Sequence, residues 1–138
     1  MLVKQLSVFV ENKPGRLSAI INLLADHHVN LSALSLADTS NFGVLRLIAD
    51  KPEAAIAALR EEGIVAKSTD VLTVAIDDTP GSLTQVLDLL AGAGISIEYM
   101  YAFSAKQENK ALMVFKVDEL DKAEALLRAG GFSAPQIG

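Results

Sequence analysis

Two short stretches hold the residues best placed for chemistry. One is Asn12, Lys13, Pro14, Gly15, Arg16 and Leu17; the other is Asp77, Asp78, Thr79, Pro80, Gly81, Ser82 and Leu83. Proline suits the first position of a helix, where its missing N–H is no loss. The glycine after it lets another molecule approach the backbone. First-turn N–H groups have no partner inside the helix, and with the helix dipole they attract a small anion such as a carboxylate. The chemistry these stretches point to is the holding of a small charged molecule.

The two stretches differ. Lys13 is a poor cap, which leaves the N–H groups of the first helix open, and Lys13 and Arg16 add positive charge beside them. In the second, Thr79 stands at the expected N-cap and would satisfy one of those groups, while Asp77 and Asp78 repel an anion. The first loop is therefore expected to be the better carboxylate site. The second, weaker one would hold an ammonium group through Asp77 or Asp78.

Other residues offer less. His27 and His28 are neighbours on a helix and point about 100° apart, so they are poorly placed to share a metal. They read as an exposed helix end, and no metal site is expected. Tyr99, Tyr101 and Phe103 form a stripe that resembles a base-stacking surface. A net charge of −5 argues against nucleic acid, which needs clustered Lys and Arg. The stripe is expected to pack between units instead. The chain has no cysteine, which excludes disulfides and a Cys nucleophile and fits a reducing compartment. No Ser–His–Asp spacing and no phosphate-binding glycine loop is recognisable, so neither an enzyme nor a cofactor is expected.

The elements that position these stretches come in two copies. A shift of 66 residues lays Pro14-Gly15 on Pro80-Gly81 and Leu23-Leu24-Ala25 on Leu89-Leu90-Ala91. With two extra residues in the later loop, a shift of 68 lays Leu59-Arg60 on Leu127-Arg128 and Gly63 on Gly131. Leu6, Val8 and Val10 alternate as a strand does, and so do Leu72, Val74 and Ile76. Leu17, Ile20, Ile21 and Leu24 recur at helical spacing, as do Leu83, Val86, Leu87 and Leu90. Strands are expected over 29–37, 44–49 and 64–68, and over 95–104 and 111–117; second helices over 52–62 and 120–129. Gly63 and Gly131 stop those helices. The closing piece, "FSAPQIG", permits only an edge strand because of Pro135.

Each half reads βαββαβ, so the fold class is α+β: two ferredoxin-like units in tandem, 1–69 and 70–138, each an antiparallel sheet with helices on one face. Units of this size bury little surface alone, so the two are expected to pack together, edge to edge. The apolar runs are too short and too broken by charges to span a membrane. Residues 1–10 lack the pattern of a signal peptide, so a cytoplasmic location is expected.

The strand, "ENKPGRLSAIINLLADHHVNLSAL", the hairpin and the second helix together resemble the ACT domain, and "DDTPGSLTQVLDLLAGAGISI" is similar. The resemblance covers nearly the whole chain as two units. It implies a regulatory module that binds an amino acid or similar small zwitterion and modulates an enzyme of amino-acid metabolism. It also implies side-by-side pairing, a homo-oligomer such as a dimer, and ligands held between the β1–α1 loop of one unit and the facing unit. By position that loop is 12–17 in the first copy and 78–83 in the second. The family often has Asn contacting the ligand where the second strand begins; Asn30 fits and Ser96 departs. The alternative is a structural adaptor without a ligand, working through protein contacts.

Overall fold

A computed structural model describes residues 1–38, 41–104 and 107–135. The elements run β1 (Leu2–Glu11), α1 (Arg16–Asp26), β2 (Leu31–Asp38), β3 (Phe42–Ala49), α2 (Pro52–Glu61), β4 (Ala66–Asp77), α3 (Ser82–Gly92), β5 (Ile97–Ala102), β6 (Lys110–Val117) and α4 (Leu120–Ala129). The chain divides into a first unit, Lys4–Thr69, and a second unit, Asp70–Gly138 with Met1–Val3.

In the first unit, alternation puts Leu6, Val8 and Val10 on one face of β1. They stand opposite Leu47, Leu45 and Gly43 of antiparallel β3. α1 and α2 set Ile20, Leu24, Ala55 and Leu59 onto that face, and all four are buried in one apolar cluster with the strand residues. Burying one such leucine contributes roughly 1.5–3 kcal/mol. The strand order is β2-β3-β1-β4.

The second unit repeats the design. Leu72, Val74, Ile76 and Phe115 meet Val86, Leu90, Ala123 and Leu127 in a cluster of its own. β4 pairs antiparallel with β6, and β6 with β5. The far side of β4 is met twice. Ala75 donates its N–H to the Ser133 carbonyl at 2.9 Å, and Thr73 donates both its N–H and its hydroxyl to the Met1 carbonyl at 2.8 and 2.9 Å.

Two expectations about strands are corrected. The pieces expected at 64–68 and 72–76 are one continuous strand, β4, because no Gly or Pro stands between Gly63 and Pro80 to break it. The expected edge strand in "FSAPQIG" is a single bridge at Ser133, since Pro135 lacks the N–H to continue it. Residues 136–138 of that piece lie outside the described residues. β2 and β5 each begin two residues later than expected, because Val29 and Ile95 close the preceding helices.

All four helices end alike. In α2 the Gly63 and Ile64 N–H groups return to the Arg60 and Leu59 carbonyls, both at 3.0 Å, and α4 does the same from Gly131 and Phe132. This exit needs one left-handed residue. Gly94 supplies it after α3 at φ 73°, whereas His28 supplies it after α1 at φ 58°.

Candidate ligand site at the first strand–helix loop

The loop between β1 and α1 is fixed by its own backbone. Asn12 donates its N–H to the Asn41 carbonyl at 3.1 Å, Lys13 to Glu11 at 2.8 Å, and Arg16 to Lys13 at 3.3 Å. Gly15 then takes a left-handed turn at φ 84° and is itself the N-cap. The helix therefore starts at Arg16, and Pro14 precedes the cap instead of opening the helix. The reversal from strand to helix needs one positive φ, and glycine meets that need at least cost. The second copy is built the same way, with Gly81 as N-cap at φ 87°. Thr79 is thus not the cap; its hydroxyl stands 2.7 Å from the Ser82 hydroxyl.

No side chain caps either helix. The second tip is thus not quenched by threonine, and the asymmetry lies in neighbouring side chains. Lys13 Nζ is 3.2 Å from Glu11 Oε2, with both groups exposed. Asp77 is paired with Lys110 of β6, so the acid expected to hold an ammonium already has a cation. Asp78 donates its N–H to the Asn109 carbonyl at 2.8 Å, as Asn12 does to Asn41.

Beside the first loop lies a cavity of about 190 Å³. Val10, Leu17, Leu36 and Gly43 give it apolar walls, and Glu11, Asn12 and Lys13 form the polar side. Gly43 stands opposite Val10 across the sheet. A methyl group on Gly43 would come within 3.0 Å of Leu36 Cδ1, so glycine keeps Leu36 where it is.

Of the residues expected at the site, Asn12, Lys13 and Leu17 line this cavity, while Pro14 and Gly15 shape the loop without lining it. Arg16 lines a different cleft. Asn30 sits past the other end of α1, about 16 Å away by helix rise. Its N–H donates to Asp50 Oδ1 at 2.9 Å, and its carbonyl accepts the Asp50 N–H at 3.0 Å. Ser96 makes the same pair with Asp118, at 3.0 and 3.3 Å. These bonds use the backbone of both residues, so they do not distinguish Asn from Ser.

Sequence reasoning missed Val10, Glu11, Leu36 and Gly43. Alternation already placed Val10 on the core face, and a lone glycine inside a strand is a mark of close approach. Leu36 carried no signal.

His27 and His28 are exposed; Nδ1 of His27 lies 2.9 Å from the Leu23 carbonyl, and the His28 carbonyl accepts from Lys51 Nζ at 3.1 Å. Tyr99 and Tyr101 are half-buried on β5. Among the described residues no group of three or more His, Cys, Asp or Glu is arranged to hold a metal ion. No helix is long and apolar enough to cross a membrane.

A duplicated βαββαβ-like frame, with an uncapped helix tip beside a small apolar cavity in the first unit, is the architecture of a tandem pair of small α+β domains. Residues 1–130 match the ACT domain pair family, and the chain belongs to that family. No curated protein matches the chain. A crystal structure of a Bacteroides thetaiotaomicron protein is 37% identical, with a TM-score of 0.92, covering 98% of this chain and 92% of that one. The regulatory subunit of aspartate kinase from Thermus thermophilus, in its ligand-free form, shares the fold with a TM-score of 0.67 at 18% identity, covering 95% of each chain. The corresponding Thermus flavus subunit has a TM-score of 0.65 at 21% identity, covering 94% of this chain and 92% of that one.

Proposed function

We propose that this protein binds a free amino acid at the loop cavity of its first unit and thereby regulates an enzyme of amino-acid metabolism. It carries out no reaction of its own. The observation that carries this reading is the meeting of three features around one loop. The tip of α1 has no side-chain cap, Lys13 lies on the cavity, and Val10, Leu17, Leu36 and Gly43 make its far walls apolar. The tip and Lys13 suit a carboxylate, the walls suit an aliphatic side chain, and Glu11 is the nearest acid for an ammonium. No hydroxyl or imidazole lines the cavity to act as nucleophile or base. The same fold serves aspartate kinase as a regulatory subunit in Thermus.

Magnitudes bound the reading. A helix terminus contributes roughly 0.3–1 kcal/mol to a carboxylate, and about 2 when partly buried. Burying an aliphatic side chain contributes roughly 1.5–3 kcal/mol. Micromolar affinity needs about 8 kcal/mol, so the ligand must gain further contacts at the cavity's open side. Leu34 and Leu36, at 47% and 49% exposure on edge strand β2, support assembly of copies in solution. Regulation then requires that the ligand bind one conformational or assembly state more tightly than another. A cytoplasmic location completes the proposal.

The test is a thermal screen of the twenty amino acids. A ligand at 100 times its Kd stabilises by about 2.7 kcal/mol. The expected result is a hit that Gly15→Val abolishes and Gly81→Val retains. No shift with any amino acid would sink this reading in favour of an adaptor working through protein contacts alone.

A further inference from the structure

The first unit holds a second and larger cleft, of about 360 Å³, which shares only Val10 and Glu11 with the loop cavity. One wall is the start of α1, with Arg16. The other is the exit of α2, with Glu62, Ile64 and Val65, and Phe9 and Phe42 stand at the mouth. Phe9, Phe42 and Val65 are 43%, 50% and 58% exposed, three of the six large apolar residues left exposed among the described residues. Clustered apolar surface of this kind marks a binding site more often than chance.

The duplication supplies an internal control. The backbone joint at the cleft recurs: Phe9 donates its N–H to Val65 at 3.1 Å, and Ala75 donates to Ser133 at 2.9 Å. At the repeat's shifts, Phe9 corresponds to Ala75, Phe42 to Lys110, Val65 to Ser133 and Arg16 to Ser82. The frame therefore stands without large apolar residues at these places. The apolar mouth is a feature of the first copy, where Lys67 Nζ also stands 5.9 Å from the centre of the Phe9 ring.

Charge narrows the occupant. Arg16 and Glu62 both line the cleft, and neither enters an ion pair with a described residue. A guanidinium donates two parallel hydrogen bonds to a carboxylate, and a glutamate accepts from an ammonium. Glu11, the second acid on the cleft, is already paired with Lys13. That leaves one unpaired cation and one unpaired anion between apolar walls, which match a zwitterion with an apolar tail. The volume falls within the range of small-molecule pockets, roughly 300–1,000 Å³. We propose that this cleft binds a free amino acid with a bulky apolar side chain, at a site separate from the loop cavity. The inference stands whether or not the loop cavity is filled.

The experiment is isothermal titration of the full chain with L-phenylalanine, L-leucine and glycine. 3-Phenylpropionate and 2-phenylethylamine serve as probes that each lack one charge. Phenylalanine or leucine is expected to bind saturably, and glycine and the single-charge probes at least tenfold more weakly. Phe42→Lys, Val65→Ser and Arg16→Ser, which install the second copy's residues, are expected to raise Kd at least tenfold. Leu36→Ala, which opens a wall of the loop cavity and is no part of the cleft, is expected to change it less than twofold. Val65 is more exposed than Phe42, so Val65→Ser decides the matter if Phe42→Lys does not fold. Absence of binding, or binding indifferent to Phe42→Lys and Val65→Ser, overturns the inference. Binding lost only in Leu36→Ala also overturns it, while leaving the loop reading intact.

Discussion

Gly15 and Gly81 hold the same left-handed turn, at φ 84° and 87°, and the loops around them are tied to the next hairpin by the same N–H, from Asn12 and from Asp78. The side chains on that shared frame diverge. The first loop has Lys13 paired loosely with Glu11, and walls from Leu36 and Gly43. The second has Asp77 held by Lys110, a Thr79–Ser82 hydroxyl pair, and alanines, Ala102 and Ala111, where Leu36 and Gly43 would fall. The difference teaches that the backbone of the strand–helix loop is what the two copies share. The chemistry around it is set separately by a few side chains.

This comparison is sharpest where the two copies are expected to respond alike. Leu24 and Leu90 are repeat equivalents, 1% and 0% exposed, each in its own unit's cluster. Truncation to alanine is expected to cost each about 2–5 kcal/mol, through lost burial and the cavity left behind. Urea denaturation of the two variants checks this. Costs differing by more than about twofold would show that the two cores are not equivalent.

The glycines come next. Valine at Gly15 or Gly81 meets no atom within 4 Å of its Cβ, so the cost is the left-handed backbone alone, about 1–2 kcal/mol at either place. Equal losses of Tm are expected, with any ligand response lost only in Gly15→Val. Unequal losses would mean that one turn is braced by something beyond its φ angle.

The helix exits give a smaller effect, of opposite sign in the two copies. His28 occupies the left-handed position that Gly94 fills after α3. His28→Gly is expected to stabilise by about 1 kcal/mol and Gly94→Ala to destabilise by a similar amount, each a Tm shift of about 3 °C. Calorimetry decides it. The Lys51 bond goes to the backbone carbonyl of residue 28 and survives the change, so a destabilised His28→Gly would mean that the freedom glycine adds to the unfolded chain outweighs the strain relieved.

Smallest of all is the exposed pair at the site. Lys13→Thr removes the ion pair with Glu11, and exposed pairs contribute about 0–1 kcal/mol. Stability should hardly move, while the affinity for a loop ligand falls. A large loss of Tm would assign Lys13 to the fold rather than to the site.

Much of this was legible in the residues. The period of two in Leu6, Val8 and Val10 and the helical spacing of Leu17, Ile20 and Leu24 specify what is buried, and the shift of 66 exposes the duplication in the sequence itself. The Pro-Gly pair marked the right loop. It did not reveal which residue would cap, because Pro14 and Thr79 each satisfy a local rule that the need for one positive φ overrides. Nor did it reveal that residues 64–77 contain no turn, since Ser68, Thr69 and Asp70 look like loop residues until strand pairing holds them.

By itself the sequence determined the element types, the repeat, the apolar faces and the loop to watch, because these depend on local periodicity and on backbone preferences of single residues. Only the tertiary structure decided that Leu36 and Gly43 wall that loop, that Arg16 belongs to a different cleft with Phe9, Phe42 and Val65, that Asn30 is tied to Asp50, and that Met1 covers the edge of β4. Each of these joins residues far apart along the chain, and such contacts follow from the closure of a whole sheet rather than from the conformation of any one segment.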